Sequence, residues 1–244
     1  MNHTLFASDL HLAGERPAAL KNFSAFMEAV VGHVSTLYLL GDLVEFWLGD
    51  DDDDPVHREL VAILARLTAR GVACAVMTGN RDFLMQHEFA AATGARLLGD
   101  FELITLGSTP TLLTHGDLLC LRDVQYQQFR AEVRAPQRQA AFLGMSLAER
   151  RQLAHATRAG TRKSMAGKDD YIMDVDEDEV TRVMRVHGAE RLVHGHTHRP
   201  AIHNPGTARE RVVLGDWYEG DLVYLHDGSV GQLCSAAKLV ARWR

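Results

Sequence analysis

The feature that most constrains this chain is a set of five short polar clusters, each of which directly follows an apolar, strand-like run. The clusters are Asp9-Leu10-His11, Gly41-Asp42, Gly79-Asn80-Arg81-Asp82, His115-Gly116-Asp117 and Gly195-His196-Thr197-His198. In open α/β sheets the carboxyl ends of the strands converge on one edge, where ligands bind. We therefore expect the five clusters to meet in one cleft.

Strand-like and helical patterns alternate in the first part of the chain. Apolar runs at 4–8, 36–40 and 72–77 predict buried strands, and helical spacing over 18–34 and 56–70 predicts the helices between them. This order indicates parallel strands with crossover helices. Further strand-like runs lie at 102–106, 111–114, 191–194, 211–214, 222–225 and 230–233. Because fewer helices separate these later runs, we predict antiparallel pairing there and, for the whole, an α/β (α+β) sandwich of sheets flanked by helices.

Residues 122–170 interrupt this order, because they predict two or three helices and no strand. We expect a helical cap (lid) inserted into a core formed by residues 1–121 and 171–244. Residues 121–168 contain ten basic and three acidic residues, a net charge of +7, whereas the whole chain of 244 residues carries −6. Such asymmetry indicates a segment that meets anionic groups, although a solvated helical surface explains the charge alone equally well.

Composition excludes several classes of protein. Hydrophobic residues make up 46% and charged residues 24%, which is an ordinary globular mixture. No apolar run reaches the roughly 18 residues of a membrane-spanning helix, and the N-terminus lacks the basic and apolar parts of a secretory signal. Three distant cysteines, Cys74, Cys120 and Cys234, fit no disulfide framework or zinc pattern. We expect a cytoplasmic protein.

One acidic run, residues 50–54, precedes Pro55. Five adjacent carboxylates cannot all face one ion. We therefore interpret the run as a solvated loop that caps the next helix rather than as a metal site.

The polar clusters together supply two carboxylates, one amide and four imidazoles. These side chains are Asp9, His11, Asp42, Asn80, His115, His196 and His198. Oxygen and nitrogen donors without thiolate suit Mn²⁺, Fe²⁺, Zn²⁺ or Mg²⁺, and seven are too many for one ion. They fit two ions that share a carboxylate, for which Asp42 is the natural choice, and the surplus positive charge of such a pair binds a phosphoryl group. Each cluster alone is weak evidence, since a single histidine is more often structural. His194 lies within its strand and is expected to be a core or supporting residue.

The order of the five clusters resembles the pattern of the calcineurin-like metallophosphoesterase superfamily, D-x-H, GD, GN-x-[DE], H-G and GH-x-H. The resemblance implies a four-layer αββα sandwich and a metal-dependent hydrolase. Longer sequence matches at 39–51, 79–84, 172–175 and 194–200 make the resemblance more specific. Within the superfamily, the chain resembles the members of lipid A biosynthesis, which act on a phosphorus-containing anhydride. These cleave the diphosphate of UDP-2,3-diacylglucosamine to UMP and 2,3-diacylglucosamine 1-phosphate (lipid X) by metal-activated water attack on the α-phosphorus.

The resemblance also implies roles for individual residues. One Mn²⁺ ion is expected on Asp9, His11, Asp42 and His198, and a second on Asp42, Asn80, His115 and His196. Catalytic roles are expected for Asp42, Asn80, Arg81, His115 and His196. Substrate contacts are expected at Asn80, Arg81, Asp123, Thr161, Met165, Lys168 and His196. The family often has Ser and Asn at the positions of Thr161 and Met165, and methionine offers no strong hydrogen-bonding group.

The lipid-linked UDP-sugar substrate also leads us to expect a peripheral protein on the cytoplasmic side of the inner membrane. The basic insertion suits an anionic leaflet, although its apolar residues could equally pack the cap helices together. We expect a monomer and no nucleic-acid partner, because the basic residues cluster in the cap rather than along a groove with aromatics.

Arg81 bears on the type of bond that is cleaved. Many members of the superfamily have a histidine after the asparagine, which protonates an alcohol leaving group. The guanidinium of Arg81 cannot act as an acid at neutral pH. A sugar 1-phosphate, with a second pKa of about 6, leaves as a dianion without protonation, so Arg81 favours diphosphate hydrolysis. Pairing of Arg81 with Asp82 is an alternative or additional role. For the whole chain, the alternatives are a soluble nucleotide pyrophosphatase, a broad-specificity metallophosphodiesterase and a non-catalytic binding scaffold.

Overall fold

The computed structural model describes residues 3–165, 172–218 and 220–243, and the side chains of all of these except 158–165. The strands are β1 (His3–Ala7), β2 (Val34–Leu40), β3 (Ala73–Met77), β4 (Arg96–Leu98), β5 (Glu102–Leu106), β6 (Thr109–Leu113), β7 (Arg191–His194), β8 (Ala201–His203), β9 (Glu210–Val213), β10 (Leu222–His226) and β11 (Gly231–Ser235). The helices are α1 (Pro17–Val30), α2 (Pro55–Ala69), α3 (His87–Thr93), α4 (Val124–Val133), α5 (Pro136–Leu143), α6 (Leu147–Met165), α7 (Glu177–His187) and α8 (Ala236–Trp243).

The first sheet has the order β11-β10-β1-β2-β3-β4. Strands β1 to β4 are parallel, as the βαβ order predicts, and β10 and β11 are antiparallel additions at one edge. Successive side chains of each strand point to opposite faces of the sheet, so each strand contributes to two hydrophobic cores. In β1, Leu5 and Ala7 face the helices, whereas Phe6 packs toward the second sheet.

The second sheet has the order β5-β6-β7-β9-β8, and it corrects one expectation. We predicted antiparallel pairing in the C-terminal part of the chain, but β6, β7 and β9 are parallel to one another. The reason is that the long excursion through α4 to α7 lies between β6 and β7, and β8 intervenes before β9 as a short antiparallel edge strand. The prediction of antiparallel pairing holds for β5, β10 and β11. Strands β4 and β8 were not predicted.

The two sheets and their helices form four layers. Side chains of α1, α2, α3 and α8 pack on the outer face of the first sheet. The inner faces of both sheets meet in a second core that contains Phe6, Met77, Val193 and Tyr224. Helix α7 covers the second sheet through Val180, Val183 and Met184. The predicted αββα sandwich is confirmed.

The segment between β6 and α7 is helical where the structure describes it. Helices α4, α5 and α6 follow one another, and no strand occurs between residues 124 and 165. The division into a core and an inserted cap stays a prediction. None of the helices in the described ranges combines the length and apolar character needed to cross a bilayer.

The acidic run at 50–54 is only partly the solvated loop that we predicted. Asp54 caps α2 by accepting a hydrogen bond from the backbone N–H of Val56, and Pro55 occupies the first turn. Asp50 and Asp52 are instead directed inward. Asp50 accepts hydrogen bonds from the Trp47 side chain and the Phe89 backbone. Asp52 is buried and lies 3.2 Å from His57.

Candidate metal centre

All five predicted clusters lie at one edge of the sandwich, at the carboxyl ends of β1, β2, β3, β6 and β7. Strand direction explains this arrangement, because parallel strands in each sheet end on the same side. A side chain from each cluster comes within 4 Å of one from another cluster, so the tertiary structure joins residues that are up to 189 positions apart in the sequence.

Asp9, His11 and His198 form the first group. The Nε2 atom of His198 lies 3.3 Å from Oδ1 of Asp9, and Nε2 of His11 lies 3.9 Å from the same oxygen. The two imidazole Nε2 atoms are 3.4 Å apart. Ligand atoms of these three residues all lie within 4.8 Å of one another.

Asp42, Asn80, His115 and His196 form the second group. Nε2 of His115 lies 3.1 Å from Oδ1 of Asn80, 3.2 Å from Nδ1 of His196 and 3.8 Å from Oδ1 of Asp42. The other carboxylate oxygen of Asp42 lies 3.9 Å from Nε2 of His11. Asp42 thus faces both groups. Ligand atoms of Asp9, Asp42 and His115 also lie within 4.8 Å of one another.

The unpaired atoms of this site fit bound cations. Oδ1 of Asp9 is buried without a hydrogen-bond partner. Two pairs of imidazole nitrogens face each other, in His11 with His198 and in His115 with His196. Ligand atoms about 2.1 Å from one ion lie about 3 to 4 Å apart, which matches these separations. Carboxylate, amide and imidazole donors suit divalent first-row metals.

The backbone at this edge is strained. Among the described residues, six other than glycine have positive φ, and five of the six are candidate ligands: Asp9, His11, Asp42, His196 and His198, with φ between 46° and 68°. The left-handed region costs an L-residue about 1–2 kcal/mol. Such strain clusters at functional sites, where the surrounding structure holds it in place. Here it turns each side chain inward immediately after its strand.

Two glycines allow the backbone to approach the carboxylates closely. A Cβ atom at Gly79 would lie 2.2 Å from Oδ1 of Asp42, and one at Gly195 would lie 2.3 Å from Oδ2 of Asp9. Only glycine fits at such positions. Asp9 is held further by hydrogen bonds from the Ser8 hydroxyl and the His196 backbone N–H.

Burial and mutual charge shift the ionisation of the ligands. Burial raises the pKa of Asp42, and the nearby carboxylates of Asp82 and Asp9 add to this effect. Burial alone would also raise the pKa of Asp9, but the neighbouring imidazoles of His198 and His115 outweigh it and hold that pKa well below its usual value.

The pKa values of the candidate histidine ligands also shift in opposite directions. Burial lowers the pKa of His11 to about 4, and burial together with the charge of His115 lowers the pKa of His196 to about 3. Burial opposes protonation of His115 too, but Asp42, Asp9 and Asp117 raise its pKa to about 9. His115 is oriented by its Nδ1 atom, which lies 2.8 Å from the Leu40 carbonyl oxygen.

Arg81 lies beside the second group of candidate ligands. The alternative prediction, that its guanidinium pairs with Asp82, is wrong. The Arg81 backbone N–H donates to Oδ1 of Asp42 at 2.8 Å, and its Nε atom is buried without a partner. Asp82 does not pair with the guanidinium, because its two oxygens accept hydrogen bonds from the backbone N–H groups of Gly79 and Leu43. Asp82 shapes the loop around Asp42, and the guanidinium makes no ion pair within the described part of the chain.

Three residues near this edge were not predicted as site residues. Asp117 is buried after β6 and accepts hydrogen bonds from the Tyr126 hydroxyl at 2.6 Å and from Nε of Arg130 at 2.7 Å. The Tyr126 ring lies 5.9 Å from the ring of His196. These contacts dock α4 beside the ligands. The helical spacing of Tyr126 and Arg130 was the only signal in the sequence, and it does not reveal which face meets the core.

The remaining predicted residues fall in different places. Asp123 is the N-cap of α4 and accepts a hydrogen bond from the Tyr126 backbone N–H. His194 is fully buried in β7, as expected. Thr161 and Met165 lie in α6, but their side chains are outside the described residues, and so is the whole of Lys168.

Comparisons with known proteins agree with this geometry. The sequence profile of the calcineurin-like phosphoesterase family matches residues 3–200. The chain is 46% identical over 219 residues to a UDP-2,3-diacylglucosamine hydrolase of Cellvibrio japonicus (strain Ueda107), covering 88% of this chain and 91% of the relative. It is 42% identical over 225 residues to the protein of the same name from Escherichia coli O81 (strain ED1a), covering 90% and 93%. A solved dimetal phosphatase from Danio rerio shares the fold, with a TM-score of 0.51, 14% identity and coverage of 96% and 99%.

Proposed function

The chain belongs to the calcineurin-like phosphoesterase family, and from this premise we propose that it is a metal-dependent hydrolase of UDP-2,3-diacylglucosamine. The products are UMP and 2,3-diacylglucosamine 1-phosphate, which makes it an enzyme of lipid A biosynthesis. Relatives named for this activity cover about 90% of the chain. The observation that carries the proposal is the meeting of seven candidate metal-ligand side chains at one edge, next to an arginine without an ion-pair partner in the described part.

The site would hold two divalent ions, which we propose to be Mn²⁺. Asp9, His11, Asp42 and His198 would bind one, and Asp42, Asn80, His115 and His196 the other. The distances from Asp42 to both His11 and His115 support its role as the shared ligand. When bound, the ions supply positive charge that activates water for attack on phosphorus and stabilises the charge of the phosphoryl group.

Arg81 binds a phosphate oxygen of the diphosphate in this proposal. The backbone N–H of Arg81 donates to Asp42, which places this residue beside the candidate ligands, and guanidinium groups bind phosphate with two parallel hydrogen bonds. Attack on the α-phosphorus breaks its bond to the bridging oxygen, so the sugar 1-phosphate departs as the leaving group. Since this group needs no proton, the absence of an acid at position 81 is compatible with diphosphate cleavage.

The helical segment 122–170 acts as the cap in this proposal. Asp123, Thr161, Met165 and Lys168 contact the substrate there, together with Asn80, Arg81 and His196. Its basic residues offset the diphosphate charge, and its exposed apolar side chains meet acyl chains or the cytoplasmic face of the inner membrane, where we propose that the monomer associates peripherally. Val124, Phe129 and Leu153 are among these exposed apolar residues.

A substrate panel tests the proposed activity. The purified protein, supplemented with Mn²⁺, is assayed with UDP-2,3-diacylglucosamine, UDP-glucose and a simple aryl phosphate. We expect rapid turnover of the acylated substrate alone. Comparable turnover of UDP-glucose would instead favour a soluble nucleotide pyrophosphatase. Turnover of the aryl phosphate would favour a broad-specificity phosphoesterase.

Isotope labelling tests the direction of attack. Hydrolysis in H₂¹⁸O is expected to place the label in UMP, because the attacked atom is the α-phosphorus. Label in the sugar 1-phosphate would reject this direction.

Substitution Arg81→Ala is expected to slow diphosphate turnover while the metal content stays unchanged, and unchanged kinetics would contradict the role of Arg81.

A further inference from the structure

A sixth polar cluster lies at the edge of the sandwich that carries the candidate ligands, which we call the metal edge. It lies in residues 215–218 after β9, and we call this segment the β9 loop. It contains Gly215, Asp216, Trp217 and Tyr218. Strand β9 is parallel to β7, so its carboxyl end lies at the same edge as that of β7. Gly215-Asp216 after an apolar strand also repeats the pattern of Gly41-Asp42. The family motif that we compared does not include this cluster.

Backbone contacts tie the β9 loop to the segment that carries Asp9 and His11. The Trp217 backbone N–H donates to the Asp9 carbonyl oxygen at 3.1 Å. The Arg16 guanidinium bridges the two segments, since it donates to the His11 carbonyl oxygen at 3.1 Å and to the Trp217 carbonyl oxygen at 2.6 Å. The β9 loop therefore has a defined position relative to the first group of ligands.

Asp216 contacts the side of His198 that faces away from the ligand group. Its Oδ2 atom lies 3.1 Å from Nδ1 of His198, while Nε2 of the same ring lies 3.3 Å from Asp9. Metal-binding histidines usually donate their second ring N–H to a carboxylate or carbonyl, which fixes the tautomer and the orientation of the ring. Asp216 is in the right place to do this for His198.

Tyr218 supports the second histidine of the same group. Its ring lies 5.0 Å from the ring of His11, and its hydroxyl donates to Oε1 of Glu45. That carboxylate oxygen lies 3.9 Å from Nδ1 of His11. The Arg16 guanidinium packs 4.0 Å from the centre of the Tyr218 ring. The β9 loop thus contacts both histidines of the first group.

We propose that Asp216 is a positioning residue that holds His198 with its proton on Nδ1, so that Nε2 is free to bind a divalent cation, and that Tyr218 and Glu45 hold His11 in place. This inference rests on the metal site of the proposed function but not on the identity of its substrate. Asp216 touches neither substrate nor reacting atoms in this role. It acts through the affinity and order of the first metal site.

Metal affinity measured without substrate tests the proposal. The apparent dissociation constant for Mn²⁺ is determined by competition with a chromophoric chelator for the wild-type chain, Asp216→Ala and Asp216→Asn. Loss of such a supporting group typically weakens binding about 10–100-fold, which we expect for Asp216→Ala. Asp216→Asn is expected to have a smaller effect, because its amide oxygen still accepts a hydrogen bond. Asp227→Asn, which removes the same charge in the turn between β10 and β11, is expected to bind Mn²⁺ like the wild type.

A spectroscopic measurement separates positioning from a general structural effect. The ¹⁵N shifts of His198 are recorded in the metal-free protein at a pH at which the ring is neutral. The wild type is expected to carry the proton on Nδ1, and in Asp216→Ala the proton is expected to move to Nε2. Wild-type affinity together with an unchanged tautomer in Asp216→Ala would overturn the proposal. If Asp216→Ala does not fold, Asp216→Leu, which is similar in volume and cannot accept a hydrogen bond, replaces it, and wild-type affinity with no change in the His198 shifts in that variant overturns the proposal equally. Both readouts are independent of turnover, so a failure on UDP-2,3-diacylglucosamine is distinguishable from a failure here.

Discussion

At the scale of single residues, the candidate ligands are held in a conformation that their residue types disfavour. His11 has φ of 46° and Asp42 has φ of 54°. The favourable packing of the strands around them must offset this strain. The candidate ligands do not offset it in the absence of cations, because their like charges repel one another and their burial removes them from water. Affinity for metal and stability of the fold are therefore opposed at these positions.

Substitution of His11 tests this opposition. Both His11→Ala and His11→Gly are expected to lose most activity, because each removes a ligand. In the presence of a chelator, His11→Gly should be more stable than His11→Ala by about 1 kcal/mol, since only glycine adopts this φ without strain. Urea unfolding measures the difference. Thr197, which has no positive φ, provides the control: there the alanine variant should be at least as stable as the glycine variant. An alanine variant of His11 that matches the glycine variant would contradict the strain argument.

His115 leads to a prediction about pH. Its pKa is raised to about 9 by Asp42, Asp9 and Asp117, so it carries a proton at neutral pH when no metal is bound. Since Nε2 must lose this proton to bind a cation, Mn²⁺ affinity should rise with pH, by up to about tenfold per unit, until pH approaches 9. Calorimetric titration at several pH values measures the slope. His57→Gln, a buried histidine away from the site, should leave it unchanged. A flat profile would refute the prediction.

At the scale of elements, the acidic run at 50–54 serves as an anchor for α6. Arg150 at the beginning of α6 is buried, and its guanidinium donates to the Leu48 carbonyl oxygen and to both oxygens of Asp51. The neighbouring Arg151 is more exposed and pairs with Asp52 and Asp53. The predicted substrate residues Thr161 and Met165 lie further along the same helix.

Removal of this anchor should loosen α6. Arg150→Met leaves the Leu48 carbonyl without its donor, and an unsatisfied buried polar group costs about 1–3 kcal/mol. We expect faster amide hydrogen exchange in residues 147–157 than in the wild type. Arg151→Met is the matched control and should change exchange little, because Arg151 is itself exposed and Asp52 keeps its contact with His57. Equal protection of α6 in the wild type and in Arg150→Met would rule out the anchor.

At the scale of the whole molecule, charge and apolar exposure are concentrated in the same segment. Residues 121–168 carry +7 in a chain of −6. Of the nine large apolar side chains that are exposed in the described ranges, five lie between Leu121 and Leu153. A basic segment with exposed apolar residues is suited to an anionic membrane surface.

Vesicle binding tests this prediction. The protein should sediment with vesicles that contain phosphatidylglycerol, less so at high salt, and not with phosphatidylcholine alone. Val124→Ser should weaken binding. Val186→Ser is the control, because this valine is exposed to a similar degree, 64% against 59%, but lies on α7. Equal loss in both variants, or binding that does not depend on lipid charge, would contradict a role of the cap at the membrane.

Much of the metal edge was predictable because its signals are local. Asp9, Asp42 and His115 each follow an apolar run, and parallel strands necessarily end on one side of a sheet. Asp216 carries the same signal but was not recognised, since the strand before it was expected to be antiparallel. Parallel pairing of β7 and β9 depends on the path of the chain through β8, which a strand pattern does not contain.

Most of the strands, and the polar residues that end them, follow from the sequence alone, because periodicity and side-chain chemistry are properties of short stretches. The partners of these side chains follow only from the packed fold. Asp216 meets His198, Asp51 meets Arg150 and Asp117 meets Tyr126, and Asp82 turns to backbone amides instead of Arg81. Such choices depend on strand direction, on how helices dock and on which buried groups remain to be satisfied, and these are decided only when the whole chain packs.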